Sequence, residues 1–216
     1  MAFAPNGKVL ATGSNDHKVR VWDTTGAEPK EWLSVDGDDK WPPVVAISPG
    51  NDRLAFSGPE HSVRLWDLTN AGPREQARLT GTGWPISSLV FSPNGKILTS
   101  GTNGGTQLWD VSDQKPKSLH PIKRLSDLAQ GCLGFAMAFS PDGTRLIAAD
   151  EVSKGSWQPS KPAVCIYHVA SGRRLQESDL SVPSWAIALA PDGRHVAAAQ
   201  RGGITVILRL AGMPDR

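Results

Sequence analysis

Apolar positions in this chain come in short runs, on alternate or adjacent residues, and each run is closed by a cluster of turn residues. The runs belong to one phrase, written five times. The first copy is Ala2-Phe3-Ala4-Pro5-Asn6-Gly7-Lys8-Val9-Leu10, and the others run from Ala46 to Leu54, Val90 to Leu98, Ala138 to Leu146 and Ala188 to Val196. Each copy reads as an apolar strand end, a Ser/Ala-Pro-Asx-Gly turn and a second apolar strand. Proline fixes φ at the first corner, and Asx followed by Gly accepts the positive φ of a tight turn. The second copy, Pro49-Gly50-Asn51-Asp52, moves its glycine forward by one, which predicts a different turn type there.

The first three copies lead into a third strand that ends in Trp-Asp: Trp22-Asp23, Trp66-Asp67 and Trp109-Asp110. Phe3 to Ile47 and Ile47 to Phe91 are both 44 residues. A blade of four strands needs about 40–45 residues, and a repeat of this length means a propeller or a solenoid. The two later intervals are longer, 48 and 50 residues, so both hold insertions. Gly and Pro together supply 39 of 216 positions, which suits many short strands and many turns. Helical periodicity is absent. The one helix candidate, Pro121 to Leu128, is short and begins with a proline, which limits it to a turn.

Turn, small-residue strand (Leu10-Ala11-Thr12-Gly13-Ser14) and Trp-Asp strand recur in fixed order. On these residues the chain resembles the WD40 repeat family, in particular the Ser-Pro-Asp-Gly-rich arrays common in bacteria. The resemblance implies an all-β WD40 β-propeller of about five four-stranded blades in one domain. The blade units are approximately 1–36, 37–80, 81–128, 129–179 and 180–216. It also implies a partial, open propeller with incomplete first and last blades, the C-terminal part of a larger one. In the family a His, a Ser/Thr, an Asp and the Trp of each blade share a buried hydrogen-bond network. Here Thr12, Asp16 and Trp22 fill three of those slots, Phe56 and Glu60 replace two in the second copy, and Ser100 and Trp109 remain in the third. Asp38 and Thr82 stand where the His would fall. Tyr167 and Ile207 take the Trp slot in the last two copies. Apolar packing is therefore expected to hold the blades together.

Differences between copies locate candidate recognition residues. The fourth copy carries a polar insertion over residues 151–162, with Lys154 and Trp157. Trp41, Trp84 and Trp185 lie in or beside the loops that lead into first strands. In the family these loops share one propeller face, and aromatic anchors in polar surroundings are what binding hot spots look like. Trp41, Trp84, Trp157, Lys154 and Trp185 are the candidate partner-binding residues. Wedging blades together is the competing role for Trp41, Trp84 and Trp185, and Trp157 could fold back on its own blade. Trp22, Trp66 and Trp109 are expected in the core.

Net charge is only +2, and the basic stretch Ser112 to Arg124 has no interleaved aromatics, which argues for a solvated loop over a nucleic-acid site. Asp36-Gly37-Asp38-Asp39 lacks the alternating ligands of a calcium loop and reads as a solvated turn. The five histidines are scattered, Cys132 and Cys165 have no metal or redox spacing, and no nucleophile elbow or phosphate loop occurs. No catalytic residue, metal or cofactor is expected. No leader or membrane-length apolar run stands out, and low cysteine content suggests the cytoplasm. The expected function is a non-enzymatic scaffold for a protein or peptide partner, with no nucleic acid and no membrane, and with association through open blade edges if the ring is cut. The alternative is a regulatory or sensory module of a longer signalling protein, for example C-terminal to a kinase-like domain. A propeller hydrolase or lyase ranks third.

Overall fold

A computed structural model describes residues 1–69, 72–80, 83–102, 105–119, 136–152, 161–182, 184–200 and 203–210. Among these residues the chain is all-β, with one 3-10 turn at Pro59–His61 and no α-helix. The strands form five separate antiparallel sheets, and within each sheet neighbours in sequence are neighbours in space. Sheet one contains β1 (Ala2–Phe3), β2 (Val9–Gly13), β3 (Lys18–Asp23) and β4 (Lys30–Asp36). Sheet two contains β5 (Val45–Ile47), β6 (Arg53–Gly58), β7 (Ser62–Asp67) and β8 (Arg74–Leu79). Sheet three contains β9 (Ile86–Phe91), β10 (Ile97–Thr102), β11 (Gly105–Asp110) and β12 (Lys117–Ser118). Sheet four contains β13 (Ala136–Phe139), β14 (Arg145–Val152), β15 (Lys161–His168) and β16 (Arg174–Asp179). Sheet five has three strands, β17 (Ser184–Leu189), β18 (His195–Gln200) and β19 (Thr205–Arg209). The helix candidate at Pro121 to Leu128 lies outside the described residues.

The repeated turn closes the same way in all five copies. The amide of Gly7 donates to Ala4 O, and Gly95, Gly143 and Gly193 repeat the bond to Ser92, Ser140 and Ala190. Asn51 makes the equivalent bond to Ser48 O and holds φ at 63°, beside 69–72° for the four glycines. The expectation of a different turn type in the second copy is therefore corrected. Asparagine is among the few side chains that tolerate this left-handed region, so the shifted glycine is not needed at the corner.

Compact packing divides the chain into two units, residues 1–100 with 109–118, and residues 101–108 with 119–216. In the first unit, Ala11, Val19 and Val21 of sheet one share a core with Leu54, Phe56 and Trp66 of sheet two. Ala46, Ala55 and Leu65 on the other face of sheet two pack with Phe91, Leu98 and Trp109 of sheet three. In the second unit, Ile147, Val164 and Ile166 of sheet four meet Val196 and Ala198 of sheet five. A sheet with period-two alternation presents one apolar row to each neighbour, which is why both faces are apolar.

Ladder register fixes the aromatic slot. Leu10 pairs with Trp22, Leu54 with Trp66, Leu146 with Tyr167 and Val196 with Leu208. Leu208, not Ile207, therefore holds the slot in the last copy, a correction of one residue. The outer ladder shifts register immediately before the aromatic in sheets one, two and four, at Val21/Trp22, Leu65/Trp66 and Ile166/Tyr167. Trp66 and Trp109 are buried as expected, but Trp22 is only half-buried. No helix among the described residues is long and apolar enough to cross a membrane.

Candidate functional site

The loop from Gly37 to Val44 joins β4 to β5 and is held at both ends. Gly37 N donates to His17 O at 2.8 Å. Val44 N donates to Ser57 Oγ at 2.9 Å, and Ser57 N returns a bond to Val44 O at 3.0 Å. Between these pins the Asp38 carboxylate turns the chain. Its Oδ1 accepts from Lys40 N at 2.8 Å and from Trp41 N at 3.1 Å. The Asp38 carbonyl lies 3.2 Å from His17 Nδ1. Asp38 is thus a buried internal cap and not the solvated turn residue read from the acidic run. Pro43 is buried against the backbone of sheet one; a Cβ on Gly13 would lie 1.9 Å from Pro43 O.

This frame carries Asp39, Lys40, Trp41 and Pro42 outward, all exposed, with Trp41 58% exposed. The equivalent loop before β9 presents Trp84 at 50% exposure, next to Gly83 at φ 67°. Trp185 sits on β17, where the ladder to β18 shifts between Ser184 and Ala186. Lys154 and Trp157 lie outside the described residues. The 3-10 turn before β7 is tied down by Arg78, whose Nη2 donates to Pro59 O at 3.1 Å and lies 3.3 Å from Glu60 Oε2. A mostly fixed backbone with exposed aromatic tips is suited to recognition.

Carboxylates after the aromatic slot do a structural job. Asp23 Oδ1 accepts from Thr25 N at 2.8 Å and from Thr25 Oγ1 at 2.7 Å. Asp67 with Thr69 and Asp110 with Ser112 repeat the arrangement. The hydroxyl bond holds each carboxyl below its usual range, with the backbone amide adding to it. The Asp-x-Thr/Ser spacing was visible in the sequence, but its meaning needed the fold. No group of three or more His, Cys, Asp or Glu among the described residues could hold a metal ion. Cys165 is buried on β15, and Arg20 with Asp16 and Arg64 with Glu75 form ion pairs along the strands.

The family model described as WD domain, G-beta repeat matches residues 1–23 and 74–110. WD40 repeats generally mediate protein–protein interactions. Among solved structures, the chain is similar to a candidate 6-phosphogluconolactonase from Bacteroides uniformis ATCC 8492. The TM-score is 0.75 and the identity 15%, with 97% of this chain and 66% of that chain covered. At that identity the likeness shows the fold. The chain spans about two thirds of that protein's length. The expectations of a non-enzymatic scaffold and of a protein without enzymatic activity are corrected by this finding, since the fold is shared with a protein described as an enzyme. Repeat grammar specifies sheets and turns, and a propeller assembles any site from residues of different repeats, so missing linear motifs do not argue against catalysis. Residues 1–23 and 74–110 match the WD40 repeat model, within a chain built of sequential antiparallel sheets.

Proposed function

We propose that this chain is a propeller hydrolase whose recognition face is built from the loops that lead into first strands. In this reading residues 1–216 form one domain of about five blades, with units near 1–36, 37–80, 81–128, 129–179 and 180–216, the last with three strands among the described residues. The observation that carries it is the fold shared over 97% of the chain with the candidate 6-phosphogluconolactonase. The substrate class is a small sugar lactone bearing an anionic group. Hydrolysis adds water to the ring carbonyl and breaks the ring C–O bond, leaving a carboxylic acid and a hydroxyl. An indole face can stack on the apolar side of a sugar ring, and a neighbouring ammonium can pair with an anion. Trp41 and Lys40 are adjacent, exposed and carried on the pinned loop. Trp84, on the equivalent loop before β9, is the second proposed contact, and Trp185, Trp157 and Lys154 are proposed recognition residues each in its own right.

The same tryptophans are where a protein or peptide partner would dock, a second reading favoured by the 58% and 50% exposure of Trp41 and Trp84. Ring opening of 6-phosphogluconolactone, with spontaneous hydrolysis subtracted, tests the first reading. A rate proportional to protein concentration is expected, lowered about tenfold or more in a folded Trp41→Ala variant. Absence of any protein-dependent rate, on this lactone and on unphosphorylated aldonolactones, would end the hydrolase proposal. Retained hydrolysis in Trp41→Ala would end only the role of that loop.

A further inference from the structure

Contact between consecutive sheets in the first unit follows one pattern. Sheet two offers a socket of small and branched residues in one row across its strands: Ala46 pairs with Ala55, and Ala55 with Leu65. Sheet three fills it with a knob of Phe91, Leu98 and Trp109. Leu65 is fully buried there and Phe91 is 7% exposed.

The same two half-patterns occur elsewhere without cover. Sheet five carries the row Ala188, Ala197 and Ile207, paired across β17, β18 and β19 as the socket of sheet two is paired. Ile207 is 70% exposed, although Val21, Leu65 and Ile166 at the equivalent position are all buried. Sheet one carries Phe3, Leu10 and Trp22, paired across β1, β2 and β3. These are the residue types of the knob in sheet three, at the same positions. Ala4 N to Val9 O and Thr24 N to Lys8 O match Ser92 N to Ile97 O and Val111 N to Lys96 O. Phe3 is 61% exposed and Trp22 half-buried.

We infer that two copies of this chain associate head to tail, with the Phe3–Leu10–Trp22 face of one copy seated on the Ala188–Ala197–Ile207 face of the other. The contact repeats, between molecules, the packing that joins sheets two and three within one molecule. Close-packed interiors reward such matched shapes, and exposed apolar rows of this kind are association surfaces. The two faces differ, so the contact is heterologous and leaves one face of each kind free at the ends of a dimer. The inference is independent of the hydrolase proposal.

Sedimentation velocity over a range of protein concentration tests it with two variants. Ile207→Lys spoils the socket and Phe3→Lys spoils the knob; both side chains are exposed, so both variants should keep the wild-type circular dichroism. Ala188→Lys repeats the socket test from β17 if Ile207→Lys misfolds. The expected result is a wild-type mass that grows with concentration, while each variant alone stays a monomer. Mixing Ile207→Lys with Phe3→Lys should restore a particle of twice the monomer mass and no larger, because one intact face remains on each. A wild type that stays monomeric overturns the inference. So does a variant that still associates alone, or a mixture that remains monomeric.

Discussion

The Trp66 indole lies beside Phe56, with ring centroids 6.2 Å apart and planes tilted by 43°, and its N–H has no acceptor among the described residues. In sheet one the equivalent indole of Trp22 donates to Thr12 Oγ1 at 3.1 Å, and in sheet three that of Trp109 donates to Ser100 Oγ at 3.3 Å. Phe56 has taken the hydroxyl's place. In exchange the Arg64 guanidinium covers both rings, 5.3 Å from the Phe56 centroid and 5.5 Å from that of Trp66. Its Nη1 also donates to Asp36 O of sheet one at 3.1 Å.

Magnitudes decide what a reversal would do. Phe56→Thr supplies an acceptor worth about 1 kcal/mol but removes most of a fully buried ring, a loss of about 3–5 kcal/mol for truncation to alanine. The variant should be destabilised by about 2–4 kcal/mol in urea unfolding. A gain in stability would mean that the orphaned indole N–H outweighs the packing.

Gly13 is required by close approach. Any Cβ there would lie 1.9 Å from the Pro43 carbonyl oxygen, a backbone atom that cannot rotate away. Gly13→Ala should cost about 1–3 kcal/mol and loosen the loop that bears Trp41. Hydrogen exchange at the Lys40 and Trp41 amides, which Asp38 caps, should accelerate. Unchanged exchange would show that Pro43 does not anchor the loop.

Asn51 has two jobs, the left-handed corner and an acceptor. Its Oδ1 takes the Asn6 amide of sheet one at 3.0 Å. Asn51→Ala should lose about 1–2 kcal/mol from backbone strain and from the missing bond. Asn51→Gly should recover the strain part and not the bond, so it should fall between the wild type and Asn51→Ala in thermal unfolding. Equal loss in both variants would assign the whole effect to the contact with Asn6.

Strand order, the turns outside the second copy and the positions of the aromatic slot in the first four copies were legible because each is a local signal. Proline, Asx and glycine act within one corner, and two-residue alternation acts within one strand. Burial was not legible in the same way. Phe3 and Phe91 are identical in phrase, yet one is exposed and the other buried, because the neighbouring sheet decides. The aromatic slot in the last copy was misread because Ile207 and Leu208 are both apolar, and only the ladder to Val196 separates them. Trp41 and Trp84 could be placed in loops from the sequence, but the buried cap at Asp38 could not, since an acidic run looks solvated until its amide partners are known. Reaction class was the least legible, because chemistry depends on side chains brought together from distant repeats.

Acid should weaken the protein through carboxylates already engaged in the fold. The Arg20 guanidinium hydrogen-bonds Asp16 and holds its pKa at about 2, below the ordinary 3.8, with the Lys18 amide and the Arg20 charge adding to the effect. Asp23, Asp67, Glu75, Asp110 and Asp142 are shifted the same way, each chiefly by one side-chain hydrogen bond. A depressed folded-state pKa means that the unfolded chain binds the proton first. The stabilisation is therefore complete above the unfolded value and is lost as pH falls through the folded one. For Asp16 the window runs from about pH 4 down to about pH 2. Carbon-13 titration of the Asp16 carboxyl should show a midpoint near 2 in the wild type, returning toward 3.8 in Arg20→Gln. Unfolding experiments across the same window should find a smaller decline in stability for Arg20→Gln than for the wild type. A wild-type midpoint at the ordinary value would show that the Arg20 contact does not persist in solution.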